Sequence, residues 1–143
     1  MRTALIALLM MLLTVSGIGV SISLARPAYH TQMLEQLHLQ KSSTSINAGC
    51  QYCHARPQGG IGMNPFGIAL DRRVPEEAEL ADVAKALSEQ LKARQDSDRD
   101  GMDDVLEVVA GTLPGDAKSK PEKSVTALEA SLKSVGGVDH FKP

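Results

Sequence analysis

Residues 80–107 read LADVAKALSEQLKARQDSDRDGMDDVLE, and the fold class follows from how the pattern changes along that stretch. Leu80, Val83, Ala84, Leu87 and Leu91 recur at helical spacing, which predicts an amphipathic helix. Pro75 suits the first position of that helix, and Glu76 and Glu77 favour its positive end. The helix is therefore expected to run from Pro75 to about Arg94. From Asp96 the rule changes, and the next twelve residues fit an EF-hand loop. Asp96, Asp98 and Asp100 stand at loop positions one, three and five, Gly101 makes the sharp turn at six, and Met102 offers a backbone carbonyl at seven. Asp104 stands at nine, where the ligand often acts through a water, and Glu107 at twelve can be bidentate. Carboxylates so closely spaced repel one another unless a cation sits among them, and Ca²⁺ accepts more oxygens, in looser geometry, than Mg²⁺. The competing reading is a solvated acidic turn capping the next helix. That helix begins near Asp104 and is stopped by Gly111. It is short and has no partner hand, which points to a rigid structural site rather than a sensor.

On either side the pattern is also helical. A first helix is expected from about Ala28 to Gln40, with Tyr29, Met33 and Leu37 near one face. Lys41 to Asn47 is rich in Ser and Thr and reads as a loop, and Arg56 to Gly67 is too rich in Gly and Pro for a strand. Within it, Asn64-Pro65-Phe66-Gly67 reads as a cap and a short helical turn. Val125, Leu128, Leu132 and Val135 form a last helix ending at Gly136-Gly137. No alternating run is long enough for a sheet. The expectation is an all-α chain: a small domain over 26–118 with long loops and a helix–calcium loop–short helix unit, then a C-terminal helix and tail over 119–143.

Residues 1–25 have the layout of an export signal. Arg2 is followed by an uncharged stretch from Thr3 to Leu24, apolar from Ala4 to Val15, and Ser23-Leu24-Ala25 supplies the small residues of a cleavage site. Cleavage is expected after Ala25, which sends the chain to the periplasm or outside the cell. The alternative is an uncleaved segment acting as a membrane anchor. Elsewhere charge is nearly balanced, with 15 Lys and Arg against 17 Asp and Glu, so no basic footprint for nucleic acid is present.

The chain of 143 residues holds two Tyr, two Phe and no Trp, so it is poor in large core side chains. Its two cysteines exclude a disulfide framework. A small domain with this composition is expected to draw part of its core from a cofactor. Cys50-Gln51-Tyr52-Cys53-His54 supplies the means. In C-x-x-C-H, two thiols three residues apart add to the two vinyl groups of one haem edge, and the adjacent histidine ligates iron. Three other readings compete: a zinc site, a thioredoxin-like redox pair, and a plain Cys50–Cys53 disulfide. The remaining histidines lack paired zinc spacing, and no strand–helix context precedes the cysteines.

Haem used for electron transfer takes a second axial ligand, commonly Met or His. The candidates are Met63, Met33, His30, His38, Met102 and His140. Met63, across the loop of Gly59, Gly60 and Gly62, and His38 are put forward first. His30 and His38 stand eight residues apart, and so about 80° apart around a helix. Phe66 is expected to pack against the ring. The glycine-rich loop has neither the strand before it nor the Lys-Ser/Thr after it that a phosphate cradle needs.

Taken together, Cys50 to His54, Asn64 to Gly67, the loop Asp96 to Glu107 and Gly111-Thr112-Leu113-Pro114-Gly115-Asp116 resemble a family of small exported bacterial monohaem c-type proteins. The calcium part is also similar to a thrombospondin type 3 repeat. The resemblance covers about residues 28–118 and implies haem binding and electron transfer, with no particular redox partner and no reaction of its own. The leading expectation is thus an exported c-type cytochrome with one haem c and one structural Ca²⁺, an electron carrier rather than an enzyme. The alternatives are a haem protein with an open sixth position, such as a small peroxidase or gas-binding protein, and a calcium-stiffened interaction module.

Overall fold

One helix of this chain buries a broad face against most of the other elements, and the rest of the fold is arranged around it. The structure, a computed structural model, describes residues 27–39, 49–57 and 59–143. The expected signal segment 1–25 and the loop expected over 41–47 lie outside the described residues. The helices are α1 (Pro27–Gln36), α2 (Pro65–Asp71), α3 (Leu80–Lys92), α4 (Asp104–Ala110) and α5 (Val125–Ser134). Short 3-10 turns occupy Gly49–Tyr52 and Gly137–Phe141. An isolated antiparallel bridge between His54 and Met63 takes the place of any sheet among the described residues, so the chain is all-α as expected. No helix among the described residues is long and apolar enough to cross a membrane.

The central helix is α3. Val83, Ala84, Ala86, Leu87, Ser88, Gln90 and Leu91 are buried, while Ala81, Lys85, Glu89 and Lys92 form one exposed stripe at helical spacing. Helices α1, α2 and α4 and the terminal 3-10 turn all pack against it, and α5 packs against α4. The start of α3 differs from expectation. It lies at Leu80 rather than Pro75, because the Glu79 amide donates to the Asp82 carboxylate (2.9 Å) and fixes the entry there. Residues 75–79 are instead a turn and approach, held to α1 by the Tyr29 hydroxyl, which donates to the Ala78 carbonyl (2.9 Å).

Helix α1 ends at Gln36, short of the expected Gln40. His38 takes a left-handed backbone (φ 50°), its amide donates to the Glu35 carbonyl (3.2 Å), and the Leu39 amide reaches back to the Leu34 carbonyl (3.3 Å). That is a Schellman closure with histidine where glycine is usual, and Leu34 and Leu39 both pack on the core. Gln36 then ties three elements together, its Nε2 donating to the carbonyls of Ala84 (2.8 Å) and Phe141 (2.9 Å).

The interior is one continuous cluster. Met33 of α1 and Leu37 just past its end, Leu87 and Leu91 of α3, Val105, Leu106 and Val108 of α4, and Leu128 and Leu132 of α5 meet Tyr52, Phe66 and Phe141. The C-terminal segment is thus part of the same core as the rest of the chain. Most of the buried side chains in this cluster are aliphatic. Both buried aromatic rings on the motif side, Tyr52 and Phe66, stack edge to face with centroids 5.4 Å apart.

Candidate functional site

The motif Cys50 to His54 is wound into a single tight turn. The Cys50 carbonyl accepts from the amides of Cys53 (3.3 Å) and His54 (2.9 Å), which gathers both thiols and the imidazole onto one short segment. Neither cysteine is in a disulfide. Burial, with Cys50 alongside, pushes the Cys53 thiol up to about 12, so it stays neutral at physiological pH. The chain then doubles back: the Ala55 amide donates to the Gly62 carbonyl (3.0 Å) and the Asn64 amide to the Cys53 carbonyl (3.0 Å). Gly59 lies inside this return at φ 75°, and a Cβ there would sit 3.3 Å from Cys50 Cβ and 3.6 Å from His54 Cδ2. The backbone conformation favours glycine, and a Cβ would in addition crowd Cys50.

Asn64 is the residue that positions the motif, a role sequence reasoning gave only to a helix cap. Its Nδ2 donates to the carbonyls of Gln51 (2.8 Å) and Tyr52 (3.0 Å), and its Oδ1 accepts from the Gly67 amide (2.8 Å) at the start of α2. Gly115 presses on the other side, where a Cβ would come 2.5 Å from Asn64 Cγ and Oδ1. Three separate sequence motifs therefore meet at one buried amide. Asn64→Ala removes all three bonds and is expected to destabilise the fold by about 2–4 kcal/mol, at roughly 1 kcal/mol each. Asn64→Asp keeps the helix cap and loses the two donations to the motif. If the residue ties down the motif, thermal melting will show Asp nearly as damaging as Ala; if it only caps α2, Asp will melt like wild type.

The second site is the loop 96–107. One carboxylate oxygen each from Asp96, Asp98 and Asp100 lie within 4.8 Å of one another. Asp96 Oδ2 accepts from the Gly101 amide (2.9 Å), Asp100 Oδ1 from the Met102 amide (2.8 Å), and Asp98 Oδ1 from the Asp100 amide (3.2 Å). These bonds curl the backbone around the acidic groups. Glu107, 0% exposed, has a buried Oε2 without a partner, and so has Asp98 at Oδ2. Burial and the charges of Asp98, Asp100 and Asp104 push Glu107 from its ordinary 4.5 up to about 9, and burial with Asp100 raises Asp98 to about 6. Glu107 lies outside the close group formed by Asp96, Asp98 and Asp100, and carboxylate oxygens gathered as those three are have the donor chemistry that suits a hard divalent cation. Met102 turns its side chain against the core.

Asp104 is placed differently from the other expected ligands. Its Oδ1 accepts from the Ser97 amide (2.9 Å), and its Oδ2 accepts from the Ser97 hydroxyl (2.7 Å) and Gln90 Nε2 (2.7 Å). Oδ2 thus ties the loop to α3 through Gln90, while Oδ1 fastens the loop's own start at Ser97. Arg94, left-handed at φ 53°, holds the loop entry by bonding Asp103 (2.6 Å) and Glu129 of α5. Lys120 reaches in from downstream, donating to the Asp100 carbonyl at 2.8 Å.

The raised acids set a pH dependence with a definite sign. A carboxyl whose folded-state pKa lies above its unfolded value makes the folded state bind more protons, so metal-free stability falls as pH rises from about 4.5 towards 9. An ion binding the carboxylates reverses that slope. In the calcium-free protein, Glu107→Gln is expected to flatten the decline in melting temperature between about pH 5 and pH 8. An identical slope in variant and wild type would show that Glu107 does not titrate there.

The remaining expected residues fall in different places. Met63 is paired with His54 across the bridge and is 38% exposed. His38 is exposed, its Nε2 3.2 Å from the His140 carbonyl and its ring 4.3 Å from that of His140. Phe66 is fully buried against Tyr52. No protein-family model, curated protein or solved structure matches this chain.

Proposed function

We propose that this chain is an exported c-type cytochrome, an electron carrier with one covalently held haem and a structural calcium ion. The observation that carries the reading is the turn Cys50–His54. Two free thiols and an imidazole share one hydrogen-bonded turn, Gly59 lies flat against Cys50 and His54, and His54 Nδ1 is buried without a partner. Such a donor set fits a haem. Cys50 and Cys53 would hold it through thioethers, each formed by net addition of S–H across one vinyl C=C with no oxidant consumed. His54 is the residue to ligate iron, and a haem bound there supplies a one-electron Fe(III)/Fe(II) couple. Asn64 and Gly67 keep the turn against α2, so the attachment point is rigid. Export, read from residues 1–25, brings the chain to a compartment where it meets redox partners in the periplasm or outside the cell.

Calcium belongs to the same reading as a stiffener, held by Asp96, Asp98, Asp100 and Glu107 with the Met102 carbonyl, while Asp104 fastens the loop to α3. The test is spectroscopic. Protein co-expressed with a haem-maturation system is expected to give a low-spin spectrum that carbon monoxide leaves unmoved, and His54→Ala is expected to lose it. Rapid CO binding to a high-spin ferrous form would contradict the carrier reading and favour an open sixth position.

A further inference from the structure

Helix α1 lies against the motif through one face. Met33 is buried there, with its Sδ 3.9 Å from Cys53 Sγ. His30 stands three residues earlier, and residues at that spacing are neighbours on a helix surface, about 5–6 Å apart. Its Nε2 is sealed from solvent and has no hydrogen-bond partner among the described residues. An unpaired buried nitrogen is costly, so a native one calls for a partner.

The other candidate ligands are committed elsewhere. His38 and His140 stack on each other, with His38 Nε2 on the His140 carbonyl. Met102 belongs to the calcium loop and packs on the core. Met63 is bridged directly opposite His54, and directly paired residues project from the same face of a two-chain ribbon. A ligand trans to His54 has to come from the other side. Helix α1 is a separate element, and it already touches the motif at Cys53.

We propose that His30 is the second axial ligand of this chain, opposite His54, with Met33 packing beside the Cys53 thioether. The inference rests on the haem reading and makes it specific: two imidazoles, which hold the potential below that of a His–Met pair.

The experiment uses mature holoprotein and reads covalent haem separately from ligation. Haem content is measured on denatured protein as the pyridine complex, and axial ligation by near-infrared magnetic circular dichroism and ferric electron paramagnetic resonance. Wild type is expected to carry one haem with the signature of two imidazoles. His30→Ala is expected to keep covalent haem, become high-spin and CO-binding, and return to low-spin with added imidazole. Met33→Leu is expected to stay low-spin. Should His30→Ala fail to fold, the wild-type signature decides, since an imidazole–thioether band overturns the proposal by itself. A low-spin spectrum unchanged in His30→Ala also overturns it while leaving the haem reading intact. Absence of covalent haem in wild type overturns both.

Discussion

Gly67→Ala is expected to destabilise the protein by about 3 kcal/mol or more, the top of the usual range for overpacking. Gly67 is the third residue of α2, and its amide caps onto Asn64. A Cβ on it would lie 2.9 Å from the Cys53 carbonyl carbon and closer still to the oxygen. Both sides of that contact are backbone, so no rotamer change relieves it. The Cys53 carbonyl also accepts from the Asn64 amide, so moving it pulls on the whole return of the chain. The loss is therefore expected as lower stability in urea unfolding and, on the proposed haem attachment, as lower yield of haem-loaded protein. Ile68→Ala, next along the helix and 43% exposed, serves as the control and is expected to cost under about 1 kcal/mol. Equal midpoints for the two variants would mean that α2 and the motif are not packed as described.

Calcium removal is the second change expected to have a large effect, on the proposal that the loop binds the ion. Exported calcium modules of this loop type bind at roughly 10⁻⁴–10⁻³ M. At about 10 mM calcium, linkage then contributes roughly 1.4–2.7 kcal/mol over the chelated protein. For a domain of this size that corresponds to roughly 5–15 °C in melting temperature. Asp96 organises the loop by accepting from the Gly101 amide and the Asp100 amide, and it offers an oxygen to the acidic cluster. Asp96→Ala is accordingly expected to abolish most of the calcium-dependent shift and to alter the chelated protein's melting temperature much less. A melting temperature indifferent both to calcium and to Asp96→Ala would remove the metal from the account.

The parts legible in the sequence are those governed by local chemistry. Helix α4 runs from Asp104 to the residue before Gly111, as the loop pattern and the glycine stop require. Helix α5 ends just before Gly136-Gly137. The parts misread depend on contacts made elsewhere. Pro75 looked like a helix start, but Glu79 and Asp82 cap each other four residues on, and Tyr29 holds the intervening chain. Helix α1 carried helical periodicity past Gln36, yet His38 turned left-handed, a conformation that histidine's identity does not announce. Asn64 was legible as a cap because it precedes proline. Its second duty, holding Gln51 and Tyr52 while Gly115 packs over it, joins segments far apart in sequence, and local pattern carries no such signal. Asp104 fits the ninth loop position, but Gln90, fourteen residues earlier in the last turn of α3, reaches its carboxylate, which spacing within the loop does not reveal.

The central claim is that Cys50 and Cys53 hold one haem by two thioether bonds. Intact mass of the exported protein, purified from cells carrying a haem-maturation system and then denatured, tests it most directly. The account predicts a mass raised by that of one haem, with Cys50→Ala and Cys53→Ala each leaving at most a single thioether and the double variant none. A denatured mass equal to the polypeptide alone would contradict it.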